Sequence, residues 1–264
     1  MTVRTLLGSV ALVLLLTGCG ARAASVAEDA TPADRAARQL ECSGQPAARG
    51  AGDYGDGLTE VQDDPTAALE NWLDAEGWFA TVPTDGYVVE WRHDGRALLS
   101  WDVDGRSKIA VVTADNVTDY NGDTGWGVET WAQCDPAEWP EQTTDELGVG
   151  IWTTAGGERQ PTDRVVSYQG PEHCDWQDIT FLHLGGERKG DEYLRDTTGE
   201  LADYLTTTYD GAVALPAHAR DTGWRRDGRE LWLGEHPRAA YLVSLDDPAD
   251  VERWPASQQD IGCA

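Results

Sequence analysis

The sequence predicts an α+β fold made of two related units, each a helix packed on an antiparallel β-meander with one disulfide per unit. Three observations predict it. Short runs of alternating apolar and polar residues are separated by Asp-Gly pairs, the signature of tight hairpin turns. A run with helical spacing precedes each set of such strands. The whole pattern occurs twice, and four cysteines keep step with it.

The elements follow in order. Arg4 supplies a positive start, and residues 6–16 form an apolar run. Spanning a bilayer takes about 20 residues, so this run suits the core of a signal peptide instead. It ends Leu16-Thr17-Gly18-Cys19. Here the chain resembles bacterial lipoproteins, whose lipobox has this form. The resemblance implies cleavage before Cys19, a diacylglyceryl thioether on its sulfur and an acylated amine. Two or more acyl chains anchor a protein stably where one binds only marginally. Residues 1–18 are thus expected to be the leader. Residues 19–38 are rich in Ala and charge, and read as a flexible tether with a short frayed helix near 33–40.

The first unit is expected over 39–140. Residues 65–74 begin with Pro65 and place Ala68, Leu69, Trp72 and Leu73 on one helical face, and Gly77 ends them. Strands follow at 87–91, 97–102 and 109–113, divided by Asp94-Gly95 and Asp104-Gly105, with a fourth at 126–133. Residues 141–165 read as a connector, with a hairpin across Gly156-Gly157. The second unit is expected over 166–264, with an apolar strand at 178–184, a weaker helix at 199–207 and strands at 223–226, 230–234 and 239–245.

The duplication rests on matched segments. Arg92-His93-Asp94-Gly95-Arg96 corresponds to Arg225-Arg226-Asp227-Gly228-Arg229, and Val128-Glu129-Thr130-Trp131 to Val251-Glu252-Arg253-Trp254. Upstream, Leu69-Glu70-Asn71-Trp72-Leu73 corresponds to Leu201-Ala202-Asp203-Tyr204-Leu205. Cys42 lies 30 residues before Trp72, and Cys174 lies 30 before Tyr204. Cys134 and Cys263 each close a half. Four cysteines outside the cytoplasm allow three connectivities. The pairing that respects the repeat is Cys42–Cys134 with Cys174–Cys263.

Further segments extend the resemblance. Gly170-Pro171-Glu172-His173-Cys174-Asp175-Trp176, Asp221-Thr222-Gly223-Trp224 and Glu252-Arg253-Trp254-Pro255 look like actinobacterial secreted lipoproteins. Residues 149–264 resemble them best. The resemblance implies location and fold, and brings no catalytic residue with it.

Composition narrows function. The formal charge of −27 sets up a field that repels nucleic acid, which is therefore not expected as a partner. Five histidines form neither His-Glu-x-x-His nor His-x-His, so a zinc hydrolase is unsupported and no cofactor is expected. His173 reads as a residue beside a disulfide. Ser167 lacks the glycine of a nucleophile elbow two residues earlier and reads as a strand-end residue. Residues 115–123 concentrate oxygen ligands but fail the EF-hand spacing, and Asp53, Asp56, Asp63 and Asp64 read as a solvated acidic loop. Among twelve tryptophans, Trp91 and Trp101 read as core, while Trp126, Trp139 and Trp152 lie in or near loops and are the candidate ligand-binding aromatics.

The leading expectation is a membrane-anchored extracytoplasmic lipoprotein, held in the lipid bilayer through acylated Cys19. It would act as a non-catalytic binding module for an envelope protein or glycan. The alternatives are a cell-envelope hydrolase acting on glycan or peptide, and a calcium-dependent adhesion module.

Overall fold

The computed structural model describes residues 31–50, 60–76, 82–185 and 191–262. Cys19 and Cys263 lie outside them, as do Asp53 and Asp56. The described chain is strand-rich and mixed, with every strand pair antiparallel.

Helix α1 (Pro32–Gln39) opens the described chain. Thr31 caps it, with its hydroxyl accepting from the Asp34 amide and the Asp34 carboxylate accepting from the Thr31 amide. The short helix expected near 33–40 is therefore present, but it is capped and packed rather than a frayed part of a tether. Ala36, Ala37 and Leu40 pack on Leu98, Ala110, Val112 and Ala132. No large side chain is needed there, because small residues on both sides let helix and sheet approach closely.

The first sheet contains β1 (Ala47–Gly50), β2 (Val88–His93), β3 (Arg96–Val103), β4 (Arg106–Thr118) and β5 (Thr124–Gln133), in the order β1-β5-β4-β3-β2. The expected meander is present with its turns. Asp94-Gly95 and Asp104-Gly105 all take positive φ, as the two-residue hairpin turn requires. The other face of this sheet carries α2 (Pro65–Glu76), begun by Asp64 accepting from the Thr66 and Ala67 amides. Leu69, Trp72 and Leu73 of α2 meet Leu99, Val111 and Trp131. Cys42 and Cys134 form the expected disulfide. Cys174 is also disulfide-bonded; the expected pairing with Cys263 falls outside the described residues.

The connector is not a linker. After a 3-10 turn at Pro136–Glu138 come α3 (Glu141–Glu146), β6 (Val149–Ile151) and β7 (Thr153–Thr154). Then come β8 (Val165–Gln169), β9 (Thr180–Leu184) and β10 (Asp191–Arg195). Of the hairpin expected across Gly156-Gly157, β6 pairs with β8, but Thr153 and Thr154 pair with Arg225 and Trp224 instead. The second sheet runs β10-β9-β8-β6. The third runs β14-β13-β12-β11-β7, from β11 (Arg220–Arg226), β12 (Arg229–Glu235), β13 (Arg238–Ser244) and β14 (Val251–Pro255).

Followed round, the last two sheets close on each other. Strands β6 and β7 are one run broken at Trp152, with β6 in the second sheet and β7 in the third. On the opposite side Tyr193 of β10 bridges Ala256, just past β14, and the Ser257 amide donates to the Glu192 carbonyl at 2.8 Å. Counting β6–β7 as one, eight antiparallel strands close into a barrel. A barrel of this size has an interior that side chains fill. Here they are Trp152, Val165, Leu182, Tyr193, Leu231, Ala240, Leu242 and Trp254.

The helix expected at 199–207 is reduced to a 3-10 turn at Ala202–Tyr204. Two forces oppose a longer one. The buried Asp196 carboxylate accepts from the Thr198, Gly199 and Leu201 amides and holds a tight turn. Leu205 and Thr206 are drawn into extended pairing with Ser257 and Ala256, and the β-branched Thr206-Thr207-Thr208 resists helix.

Candidate functional site

The sites expected from tryptophan placement are not open. Trp126 is 8% exposed, and Trp139 and Trp152 are each 1% exposed. Trp126 packs on Trp72's side of the first sheet under the Arg92 guanidinium, 4.7 Å from its ring. Trp139 stands edge-on to Trp101 at 5.8 Å. Trp152 fills the barrel. A loop position says where the backbone runs, not where a large indole goes; here each ring turns inward and joins a core. Trp91, read as core, is instead 37% exposed on the edge strand β2, beside Val88 and Val89. All six residues of this edge strand are exposed, and its register against β3 shifts at a bulge between Val89 and Trp91.

The acidic loop at 115–123 is organised by its own backbone. Asp119 accepts from the Asn121 amide at 2.8 Å and the Asp123 amide at 3.0 Å. Among the described residues no three His, Cys, Asp or Glu side chains are grouped to hold a metal ion. His173 sits exposed in a 3-10 turn at Glu172–Cys174.

The concave site lies at one mouth of the barrel. It is a cleft of about 490 Å³ between the second and third sheets. Strand register explains its lining. Inward-facing positions of β8, β9 and β10 pass from Ser167, Leu182 and Tyr193 to Gln169, Thr180 and Arg195. Those of β11, β12 and β14 pass from Trp224, Leu231 and Trp254 to Arg226, Arg229 and Glu252. The barrel is therefore apolar in the middle and polar at this end.

Arg226 and Arg229 are direct cross-strand partners, because the Asp227-Gly228 turn joins β11 to β12 there. Two like charges placed so repel each other. Carboxylates offset this. Glu252 lies 3.3 Å from both Arg195 and Arg229 and accepts from the Trp254 indole at 3.0 Å. Arg229 also meets Asp250 at 3.0 Å. Arg226 meets Asp227 at 3.0 Å and Asp145 at 3.4 Å, and donates to the Ile151 carbonyl. The three arginines and three acids lining the cleft cancel, in a chain of net −27.

Gly150 floors the cleft. A β-carbon there would overlap the Ser167 hydroxyl and come within 2.9 Å of Arg226 Nε. Ser167 is only 5% exposed, yet its hydroxyl makes no hydrogen bond among the described residues. The sequence reading misses Gly150, Arg195, Arg226, Arg229 and Glu252 as site residues, and takes Ser167 only as a strand end. One signal is available in it: Arg226-Asp227-Gly228-Arg229 places two arginines face to face through a two-residue turn.

A second cavity, of about 440 Å³, lies on the barrel's outer side against Glu192, His183, Arg238 and Asp260. Tyr168 donates to Glu192 at 2.7 Å. Burial pushes the Glu192 carboxyl above its ordinary 4.5, with the Tyr168 bond and the nearby His183 opposing and Asp260 assisting. An acid raised in the fold favours the folded state at low pH and loses that contribution as pH climbs through its raised value. Glu192→Gln keeps an oxygen for Tyr168 and has no charge to bury. It is expected to be at least as stable as the parent at pH 7, with a flatter stability profile above its ordinary 4.5. Urea unfolding across that range checks this, and a variant weaker than the parent at pH 7 would refute it.

Compared with known protein families, with characterised proteins and with solved structures, the chain has no significant match to any.

Proposed function

We propose that the chain is a membrane-anchored extracytoplasmic lipoprotein, held by acylated Cys19, that acts as a non-catalytic binding module at the cell envelope. The observation that carries the binding role is the cleft at the barrel mouth, a concave polar site built on rigid strands. Its carboxylates are engaged by guanidinium groups rather than by one another. That arrangement orders a binding surface. The hydrolase alternative instead needs two acids poised across a substrate bond, whereas each of these acids is committed to an arginine. The adhesion alternative draws no support from Asp119, whose oxygen is taken by amides of its own loop.

The anchor rests on Leu16-Thr17-Gly18-Cys19 and its resemblance to bacterial lipoproteins. Among the described residues no helix is long and apolar enough to cross a membrane. Kinship with actinobacterial secreted lipoproteins belongs to the same proposal. So does an origin by duplication. The meanders β2–β5 and β11–β14 share strand order, and Asp94-Gly95 and Asp227-Gly228 share φ values of 49° and 71°.

Fractionation with in-cell crosslinking tests the reading. The parent is expected in the membrane fraction, crosslinked to an envelope protein or glycan. Cys19→Ser is expected to leave that fraction. A Cys19→Ser chain that stays with the membrane overturns the anchor. Failure of the parent to bind any partner or small molecule overturns the binding role.

A further inference from the structure

We infer that the barrel mouth takes a small oxyanion, a carboxylate- or phosphate-bearing molecule, between Arg226 and the Ser167 hydroxyl; this rests on the cleft being the binding site proposed above. The first argument is the donor set. Ser167 lines the cleft, and its hydroxyl, open to the cleft, has no hydrogen-bond partner among the described residues. An open hydroxyl of this kind can donate to a ligand oxygen in place of water. The Arg226 guanidinium lies beside the Ser167 hydroxyl, because Gly150, lacking a side chain, lets both groups sit against its backbone.

The second argument is what Arg226 would give up. Its carboxylate partners are Asp227, which is exposed, and Asp145 at 3.4 Å, which is half-exposed. Pairs of this kind contribute little in water, so a ligand oxyanion displaces them at small loss. Arg229, directly opposite, is engaged by Asp250 and Glu252, which leaves Arg226 as the more available guanidinium. By contrast Glu252 is enclosed between Arg195 and Arg229 and stays as the wall.

The third argument is selectivity. A net charge of −27 repels anions over most of the chain, whereas the cleft is locally balanced and rich in arginine. A planar fork of N–H donors matches carboxylate and phosphate oxygens. A sugar ring finds little aromatic face to stack on, because Trp152 and Trp254 are buried and Tyr168, also in the lining, is stacked on Phe181.

Titration calorimetry of the folded parent with inorganic phosphate and with malonate tests the inference, with glucose as the neutral comparison. One saturable site for at least one anion is expected, and whichever anion binds more tightly identifies the ligand class. A lost charge-assisted bond predicts that Arg226→Gln weakens binding about tenfold or more, and a lost neutral one that Ser167→Ala weakens it about threefold. Arg106→Gln on the first sheet leaves it unchanged. Two variants guard against a folding defect in either, checked by circular dichroism. Absence of a saturable site for both anions, or binding indifferent to Arg226→Gln, overturns the inference. Glucose binding that Arg226→Gln abolishes, without anion binding, also overturns it and leaves the binding-module reading standing.

Discussion

Removing the Cys42–Cys134 bridge, as the Cys42→Ser, Cys134→Ser double variant, is expected to destabilise the first sheet and its helices by about 4–5 kcal/mol on chain-entropy grounds. The bridged cysteines are 92 residues apart, far enough for loss of the bridge to release much disorder in the unfolded chain. The loop between them holds α2 and the whole meander. Cys134 is fully buried, so the Cys134→Ser change also buries a hydroxyl, which adds to the loss. Urea unfolding followed by tryptophan fluorescence measures it, since Trp72, Trp126, Trp131 and Trp139 all report on this core. A loss under about 1 kcal/mol, far below the chain-entropy figure, would mean that polar contacts alone order residues 41–44. Peptide mapping adds a direct check: a Cys42 peptide linked to Cys174 would contradict both this bridge and the pairing expected from the repeat.

The meander is legible because its signals are local. An Asp-Gly pair dictates a turn, and period-two alternation on each side dictates strands. The barrel is not legible, because its closure depends on contacts no local pattern encodes. Asp191–Arg195 is a short polar-ended strand, and its bridge from Tyr193 to Ala256 joins residues far apart along the chain. The connector hides its strands for a related reason. Val149-Gly150-Ile151 is short, and only its pairing with β8 and its continuation into β7, which pairs with β11, make it part of a wall. Helix α1 shows that a segment without large apolar side chains still packs. Against a sheet face of Ala110, Val112 and Ala132, alanine is the size that fits.

The cleft shows the same division. The facing of Arg226 and Arg229 follows from one turn and is readable in the sequence. Their meeting with Arg195, Ser167 and Glu252 follows from two sheets diverging at one end, and is not. Tryptophan misleads in both directions. Buried Trp139 and Trp152 carry indole N–H groups that find no partner among the described residues, and exposed Trp91 sits on an edge strand. Indole area outweighs one unmade hydrogen bond when the ring is enclosed.

Lys108→Met is expected to destabilise the protein by about 3–5 kcal/mol at pH 7, the magnitude that follows when one partner of a buried ion pair is removed. Lys108 is nearly buried and donates to the Glu41 carbonyl at 2.6 Å and to Glu138 at 2.8 Å. Glu138 also accepts from the Ser43 amide at 2.8 Å and the Gly44 amide at 3.2 Å. The pair thus ties the segment around Cys42 to the turn after Cys134. Burial by itself would raise the Glu138 carboxyl, but the Lys108 ammonium and the two amides outweigh it and hold Glu138 below its ordinary 4.5. A depressed acid contributes stability that is present above its unfolded value and lost as pH falls through its folded one. Methionine removes the largest of the depressing influences, so burial gains weight and that contribution shrinks or reverses. The deficit of Lys108→Met relative to the parent is therefore expected to be larger at pH 7 than at pH 4, where Glu138 accepts a proton at little loss. Adding Glu138→Gln retains an acceptor for the Ser43 and Gly44 amides and removes the stranded charge, so the double variant should recover part of the deficit at pH 7. Urea midpoints at both pH values decide it. An equal deficit at pH 4 and pH 7, with no recovery in the double variant, would show that the lysine stem's packing, not its charge, holds this corner together.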